Sequence, residues 1–293
     1  MKKILTLISA AILSSGIANA QNDAASDSTG LPGDNLDLYG VLDLFKSAAT
    51  MEDFEKSLNA ESNRVNNLDL DKDGNVDYIK VIDRSDSGVH AITLQIDITD
   101  KEAQDVAVIE LEKTGNESAD LQIVGDEDLY GEDYIVEAAE AESINNEGKF
   151  TSGFMHSKVV VVNVWMWPCV RYVYAPGYVV WVSPWRYRVY PPYYRPWRPV
   201  AWRVHHARVV HYRVHYRRVH AHRVVRAHRV AHRHRVASAH YRANHPNHHR
   251  GPAHNNNTRG KQGGPNKGPK GGPNKGPKGG GKQGPKGGGG RRR

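Results

Sequence analysis

All 32 acidic residues of the 293-residue chain lie before residue 151, and the last 143 residues contain neither Asp nor Glu. Counted along the sequence, residues 21–150 carry 9 Lys/Arg against 32 Asp/Glu, a formal net charge of −23. Residues 151–293 carry 29 Lys/Arg against none, a net of +29, together with 15 of the 16 histidines. The whole-chain charge of +8 hides these two opposite halves. A cationic segment without a carboxylate of its own has three outlets. It stays solvated, it meets a polyanion, or it folds back on the acidic half.

The first twenty residues predict a signal peptide. Lys2 and Lys3 precede an apolar run from Ile4 to Leu13, too short to span a bilayer, and Ala18-Asn19-Ala20 fits the small-residue cleavage pattern. No Cys follows the run, so no lipoprotein anchor is expected, and the address is periplasm, outer-membrane surface or extracellular space. No later apolar run is long enough to predict a transmembrane helix. The single Cys169 cannot close an internal disulfide. It is either a small buried hydrophobe or a thiol free to pair with another chain.

Composition divides the rest. Residues 21–35 read as a polar leader, 36–143 as an acidic domain, 144–157 as a linker and 158–202 as an aromatic β segment. Residues 203–250 read as an Arg/His/Val arm and 251–293 as a disordered Gly/Pro/Lys tail. The fold class predicted is α+β: N-terminal helices, then a small antiparallel sheet of three to five strands with helix on one side. An aromatic β segment and a disordered or partly helical basic tail follow. Leu36, Leu38, Val41, Leu42 and Phe45 recur at helical spacing, and Thr50 with Asp53 predicts the capped start of a second helix running to Asn59. Ile92, Leu94, Ile96 and Ile98 alternate with polar residues, as in a strand with one wet face. Strands are also read at 78–82, 106–112 and 121–124, with a hairpin turn at Gly115-Asn116.

Residues 158–202 hold all six Trp and seven of the 14 Tyr. Short strands are read at 159–162, 170–174 and 178–182, because Pro168, Pro176 and Pro184 argue against helix. A strand pair is expected through Ala175-Pro176-Gly177, and 190–199 reads as an extended polyproline-like stretch. In the arm, Arg-Val recurs at 203, 208, 213, 218 and 223, then at 229 and 235. A period of five gives neither a helix nor a strand an apolar face, so a solvated arm is expected.

The one motif with ligand spacing is Asp69-Leu-Asp71-Lys-Asp73-Gly74-Asn75-Val76-Asp77. Side-chain oxygens at Asp69, Asp71, Asp73, Asn75 and Asp77, with Gly74 for the bend, suit one calcium ion. Position 12 of an EF-hand would fall on Lys80, and the flanks read as strand. The stretch running into Asp77-Tyr-Ile-Lys-Val81 resembles the calcium loops of FG-GAP and related integrin-type repeats. That likeness implies an ion site and nothing of the propeller or of adhesion. A metal-free Asp-rich turn is the other reading of the same residues.

Arg, Lys and stacking aromatics together suit a polyanion: lipopolysaccharide, acidic polysaccharide or nucleic acid. The candidate contacts are Arg203, Arg208, Arg213, Arg218, Arg223, Arg229 and Arg235. Fifteen imidazoles offer an alternative, a transition-metal binder holding zinc, copper or nickel. Neighbouring arginine charge and the lack of a fixed motif count against it. Protonation of these histidines would also tighten anion binding at low pH. A further alternative is a structural envelope protein that self-associates through its opposite halves. No Walker A loop, nucleophile elbow or zincin motif occurs, so no enzyme is expected.

Three stretches together resemble a set of exported proteins from Gram-negative bacteria of the Bacteroidota type. They are Asn67 to Val81, Gln122-Ile-Val-Gly-Asp126 with Tyr130-Gly131, and Trp165-Met-Trp-Pro168 leading to Trp181-Val-Ser-Pro-Trp185. The likeness spans roughly residues 36–200. It implies a cell-envelope address and adds no mechanism.

Overall fold

The structure is a computed structural model that describes residues 28–139 and 161–245. The expected signal peptide, the linker at 144–157, the tail at 251–293 and residues 159–160 of one expected strand lie outside the described residues. So does the leader up to residue 27. From residue 28 the leader is structured: Ser28, Thr29 and Gly30 all donate to the carboxylate of Asp34, which holds a 3-10 turn at Pro32–Asn35.

Helices α1 (Leu38–Ser47) and α2 (Met51–Leu58) form where the spacing predicts them. Thr50 caps α2 reciprocally. Its hydroxyl accepts from the Asp53 N–H at 3.1 Å and donates to the Asp53 carboxylate at 2.9 Å. Leu38, Leu42, Phe45, Met51, Phe54 and Leu58 are buried together, and the Phe45 and Phe54 rings meet edge to face at 5.2 Å. Helix α1 packs so closely that a Cβ on Gly40 would lie 2.7 Å from Val65 and 2.9 Å from Tyr212.

Asp37 caps α1 from inside the protein, accepting from the Gly40 N–H at 2.8 Å. Burial pushes its carboxyl up to about 7, against the pull of that hydrogen bond. The unfolded carboxyl ionises near 3.8, so between these values the folded state holds the extra proton and stability falls as pH rises. Asp37→Asn keeps the cap acceptor and removes the titration. Its stability relative to the parent is expected to improve by roughly 2–4 kcal/mol between about pH 4 and pH 8. Urea unfolding at each pH checks this, and a constant difference would contradict it.

Six antiparallel strands follow in the order β1-β2-β3-β4-β5-β6: Lys80–Asp86, Val89–Asp97, Ala103–Gly115, Ser118–Gly125, Ile135–Ala138 and Tyr216–Val219. A short helix α3 (Glu127–Tyr130) separates β4 from β5. The Gly115-Asn116 turn joins β3 to β4 as expected. Register sorts the side chains by face. Val81, Ile92, Leu94, Ile109, Leu121 and Ile123 join the core shared with α1 and α2. Ala91, Thr93, Val108, Glu110, Glu112, Gln122 and Glu137 face the other way. The α+β class holds. The sheet has six strands rather than three to five and is covered on both faces, because the sixth strand and the second cover come from the basic segment.

The aromatic segment forms no β-strand among its described residues, only isolated bridges. Pro168 opens a helix, α4 (Pro168–Val173), where a strand was expected over 170–174. A proline at the first helical position loses no hydrogen bond, so it starts a helix as readily as it breaks one. The expected strand pair through Ala175-Pro176-Gly177 is absent, and Tyr178–Val182 keeps one bridge, Val182 to Ile82 on β1. Cys169 is fully buried 3.7 Å from the Met51 sulfur, and burial pushes its thiol up to about 12.

The arm departs most from expectation. It is a strap of short elements: α5 (Trp202–Val209), a 3-10 turn at Val210–Val214, β6, α6 (Val225–Arg233) and α7 (Ala239–Asn244). Val209, Tyr216, Val224, Ala227, Val230 and Tyr241 are buried. Val224, Ala227, Val230 and Ala231 form a second core with Val89, Ala91 and Val108 on the far face of the sheet. A single period fails to reveal this because the segment changes element type every few residues, each with its own buried positions.

Candidate functional site

The strap meets carboxylates wherever it crosses the sheet. Arg217 grips Glu137 with two hydrogen bonds of 2.8 and 2.9 Å, and Arg223 pairs with the same carboxylate. Arg226 reaches Glu112 at 3.0 Å. Arg235 spans Asp126 at 2.6 Å, Glu127 at 3.0 Å and Asp128 at 2.8 Å, and Arg242 adds a second contact to Asp128 at 2.8 Å. Backbone joins in: Asp105 donates to the Val236 carbonyl at 2.9 Å, Val236 donates to the Asp105 carboxylate at 2.8 Å, and Arg223 donates to Gln122 at 2.7 Å.

The seven arginines read as anion contacts therefore split. Arg223 and Arg235 are consumed by the protein's own acids. Arg213 and Arg218 lie over the rings of Tyr39 and Tyr134 at 4.9 and 4.3 Å. Arg203, Arg208 and Arg229 are exposed, with no ion-pair partner among the described residues. The histidines split as well. Burial lowers His205 to about 4, which removes it from any charge switch near neutral pH. A hydrogen bond donated to the Glu110 carboxylate raises His228 against the opposing effect of burial.

A different cationic surface remains. Arg186, Arg188, Arg195, Arg198, Arg203 and Arg208 are all exposed, within a stretch that contains no acid. Trp185, Tyr187, Trp197 and Trp202 are half-buried between them, and Tyr190 and Tyr193 are exposed. Hydrogen bonds pin this stretch to the body. Tyr194 Oη donates to the Val76 carbonyl at 2.6 Å and the Val76 N–H to the Trp197 carbonyl at 2.7 Å. The Val200 N–H donates to Asn67 at 2.7 Å, and the Asn67 amide returns a bond to the Val200 carbonyl at 2.9 Å. The guanidinium of Arg188 lies 5.0 Å over the Tyr187 ring.

The Asp loop lies beside this strip, with Tyr187 Oη 3.5 Å from Asp71. It bends through Lys72 and Gly74, both at positive φ, and leads into β1. Asp69, Asp71 and Asp77 bring one carboxylate oxygen each within 4.8 Å of one another. Asp69 Oδ1 is buried without a hydrogen-bond partner. Burial raises Asp69 and Asp71, with charge repulsion from Asp73 adding to it, and raises Asp77 well above the usual range. Asp73 is not among these three: it accepts from the Asn75 N–H at 2.8 Å and from its side-chain amide at 3.1 Å.

Two buried polar nodes were not singled out in the sequence. Glu55, 1% exposed, accepts from Tyr78 Oη at 2.8 Å, Trp181 Nε1 at 2.9 Å, Ser183 Oγ at 2.7 Å and the Val81 N–H at 3.1 Å. Asp83 accepts from Tyr178 Oη at 2.8 Å and lies 2.9 Å from His90 Nδ1. Both seat the aromatic segment on the body. The only signal was a Glu on the apolar side of α2, and an acid and a histidine in strand-forming runs. No protein-family model matches the chain, and no curated protein or solved structure matches it either. Among the described residues, no helix is long and apolar enough to cross a membrane.

Proposed function

We propose that the protein is an exported, non-enzymatic envelope protein that binds a polyanion through the pinned strip from Arg186 to Arg208. One observation carries the reading: six exposed arginines, interleaved with aromatic rings, lie there without an ion-pair partner among the described residues, while Arg217, Arg223, Arg226 and Arg235 of the strap are paired with the acidic sheet. Guanidinium groups neutralise phosphate or sulfate, and the rings stack on sugars or bases. A backbone held by bonds to Val76 and Asn67 presents these groups without a backbone ordering cost on binding. Asp69, Asp71 and Asp77 fit a calcium ion, which would neutralise the carboxylates nearest Arg188 and favour an anion there.

The test is a salt series with the full chain against a labelled DNA duplex and, in parallel, lipopolysaccharide. Replacing Arg198, Arg203 and Arg208 by Gln is expected to lower the slope of log affinity against log salt by about 3 on DNA, near 0.9 per lost phosphate contact. An unchanged slope would move binding away from the strip and overturn this reading.

A further inference from the structure

Where the strap crosses the middle of β3, the buried groups have more lone pairs than hydrogens. Glu110 is 1% exposed. Its Oε1 lies 2.7 Å from Nδ1 of His228. Its Oε2 is buried with no hydrogen-bond partner, and so is Nδ1 of His222. These two atoms face each other across 4.0 Å. A buried acceptor left without a hydrogen keeps its full desolvation cost, larger when it is charged. A tetrahedral ion with bonds of about 2.0–2.2 Å holds its donor atoms about 3.3–3.6 Å apart, so an ion between these two needs them to close by only roughly half an ångström.

The surroundings complete the case. The His222 and His228 rings lie 4.1 Å apart, and one ligand atom from each of the three residues falls within 4.8 Å of the others. Nε2 of His222 lies 3.8 Å from the exposed Asp133 carboxylate, within reach of the outer-carboxylate contact that commonly orients a metal-bound imidazole. A cavity of about 310 Å³ opens beside the triad, with room for water to fill a remaining position. Its walls carry six carboxylates against one guanidinium, that of Arg235, which Asp126, Glu127 and Asp128 already neutralise. Arginine charge, which counts against a cation on a free basic arm, is therefore cancelled at this place.

We propose that Glu110, His222 and His228 form a site for one divalent transition-metal ion of the zinc class, which clamps the basic strap to the sheet. Two imidazoles and one carboxylate are the donor set such an ion prefers, and a water completes four-coordination. Glu110 comes from β3 and both histidines from the strap, so the ion crosslinks segments distant in sequence. It stabilises the folded chain by binding only when the two are docked.

Zinc itself is the probe, with the full chain. Metal content after gel filtration and competition against a chromophoric chelator are expected to give one tightly held ion per chain and a zinc-dependent rise in Tm. His222→Ala and the isosteric Glu110→Gln are each expected to weaken that site on the order of a hundredfold and to abolish the rise in Tm. His211→Ala with His234→Ala, on exposed positions, should leave both readouts unchanged. His222 is partly exposed, so alanine there should fold, and Glu110→Gln decides the matter if it does not. No retained ion, or identical titrations for the parent and Glu110→Gln, would overturn the proposal; the second outcome would place zinc on scattered surface histidines.

Discussion

A chain cut after Val200 is expected to lose its cooperative unfolding transition, or to melt at least about 10–20 °C below the full chain, rather than leave a stable acidic domain. The cut removes Val209, Tyr216, Val224, Ala227, Val230 and Tyr241 from the interior. At about 1–3 kcal/mol for each large side chain, the loss is on the order of 5–10 kcal/mol, which rivals the whole stability of a typical domain. It also strips β5 of its outer neighbour and uncovers Ala91 and Val108. Electrostatics adds to this. Residues 21–200 carry 15 Lys/Arg against 32 Asp/Glu, a net charge of −17, and without the strap most of their mutual repulsion is left unbalanced. Thermal unfolding by circular dichroism, with both chains at the same salt, reads the difference. Equal midpoints would mean that the strap is an ornament on a self-sufficient fold.

The second large effect is expected at Glu55. Replacing it with Ala leaves the Trp181 indole, the Ser183 and Tyr78 hydroxyls and the Val81 N–H facing a hole at the junction of α2, β1 and the aromatic segment. Leaving a buried donor unsatisfied costs about 1–3 kcal/mol, so with four donors stranded a loss of about 3–5 kcal/mol is expected. Glu55→Gln keeps the shape but turns one acceptor oxygen into a donor, so roughly half of that loss is expected. Denaturant unfolding followed by Trp fluorescence measures both. A loss below about 1 kcal/mol for Glu55→Ala would mean that water replaces the carboxylate and that the node does not hold the segment down.

These two effects locate what the residues revealed and what they concealed. Helices α1 and α2 were legible because capping and a 3.6-residue pattern act locally, as at Thr50 and Asp53. Strand β2 was legible because one face is uniformly apolar. The strap was not. Its valines are buried at 209, 224 and 230 but exposed at 204 and 214, a choice made by the sheet beneath and not by the segment's own rhythm. The charge segregation did hold the answer, since fold-back on the acidic half was one of its three outlets. What sequence could not rank was the affinity of +29 for an internal −23 against an external polyanion, because that depends on which carboxylates the fold lines up. Glu110, Glu112 and Glu137 share one face only through register. The anion surface moved for the same reason. Arg223 and Arg235 are taken, Arg203 and Arg208 are left, and Arg186 to Arg198 extend them. Spacing singled out the Asp loop, in which the carboxylates of Asp69, Asp71 and Asp77 converge while Asp73 accepts from the Asn75 N–H.

The strap's status as part of the fold is tested most directly by hydrogen exchange on the intact chain, read peptide by peptide across residues 201–245. Amides of β6, α6 and α7 are expected to be protected to within about tenfold of those in β3, because they open only with the sheet they cover. Exchange at the rate of an unstructured peptide across 216–244, while β2 and β3 stay protected, would contradict the account and return the basic segment to solvent.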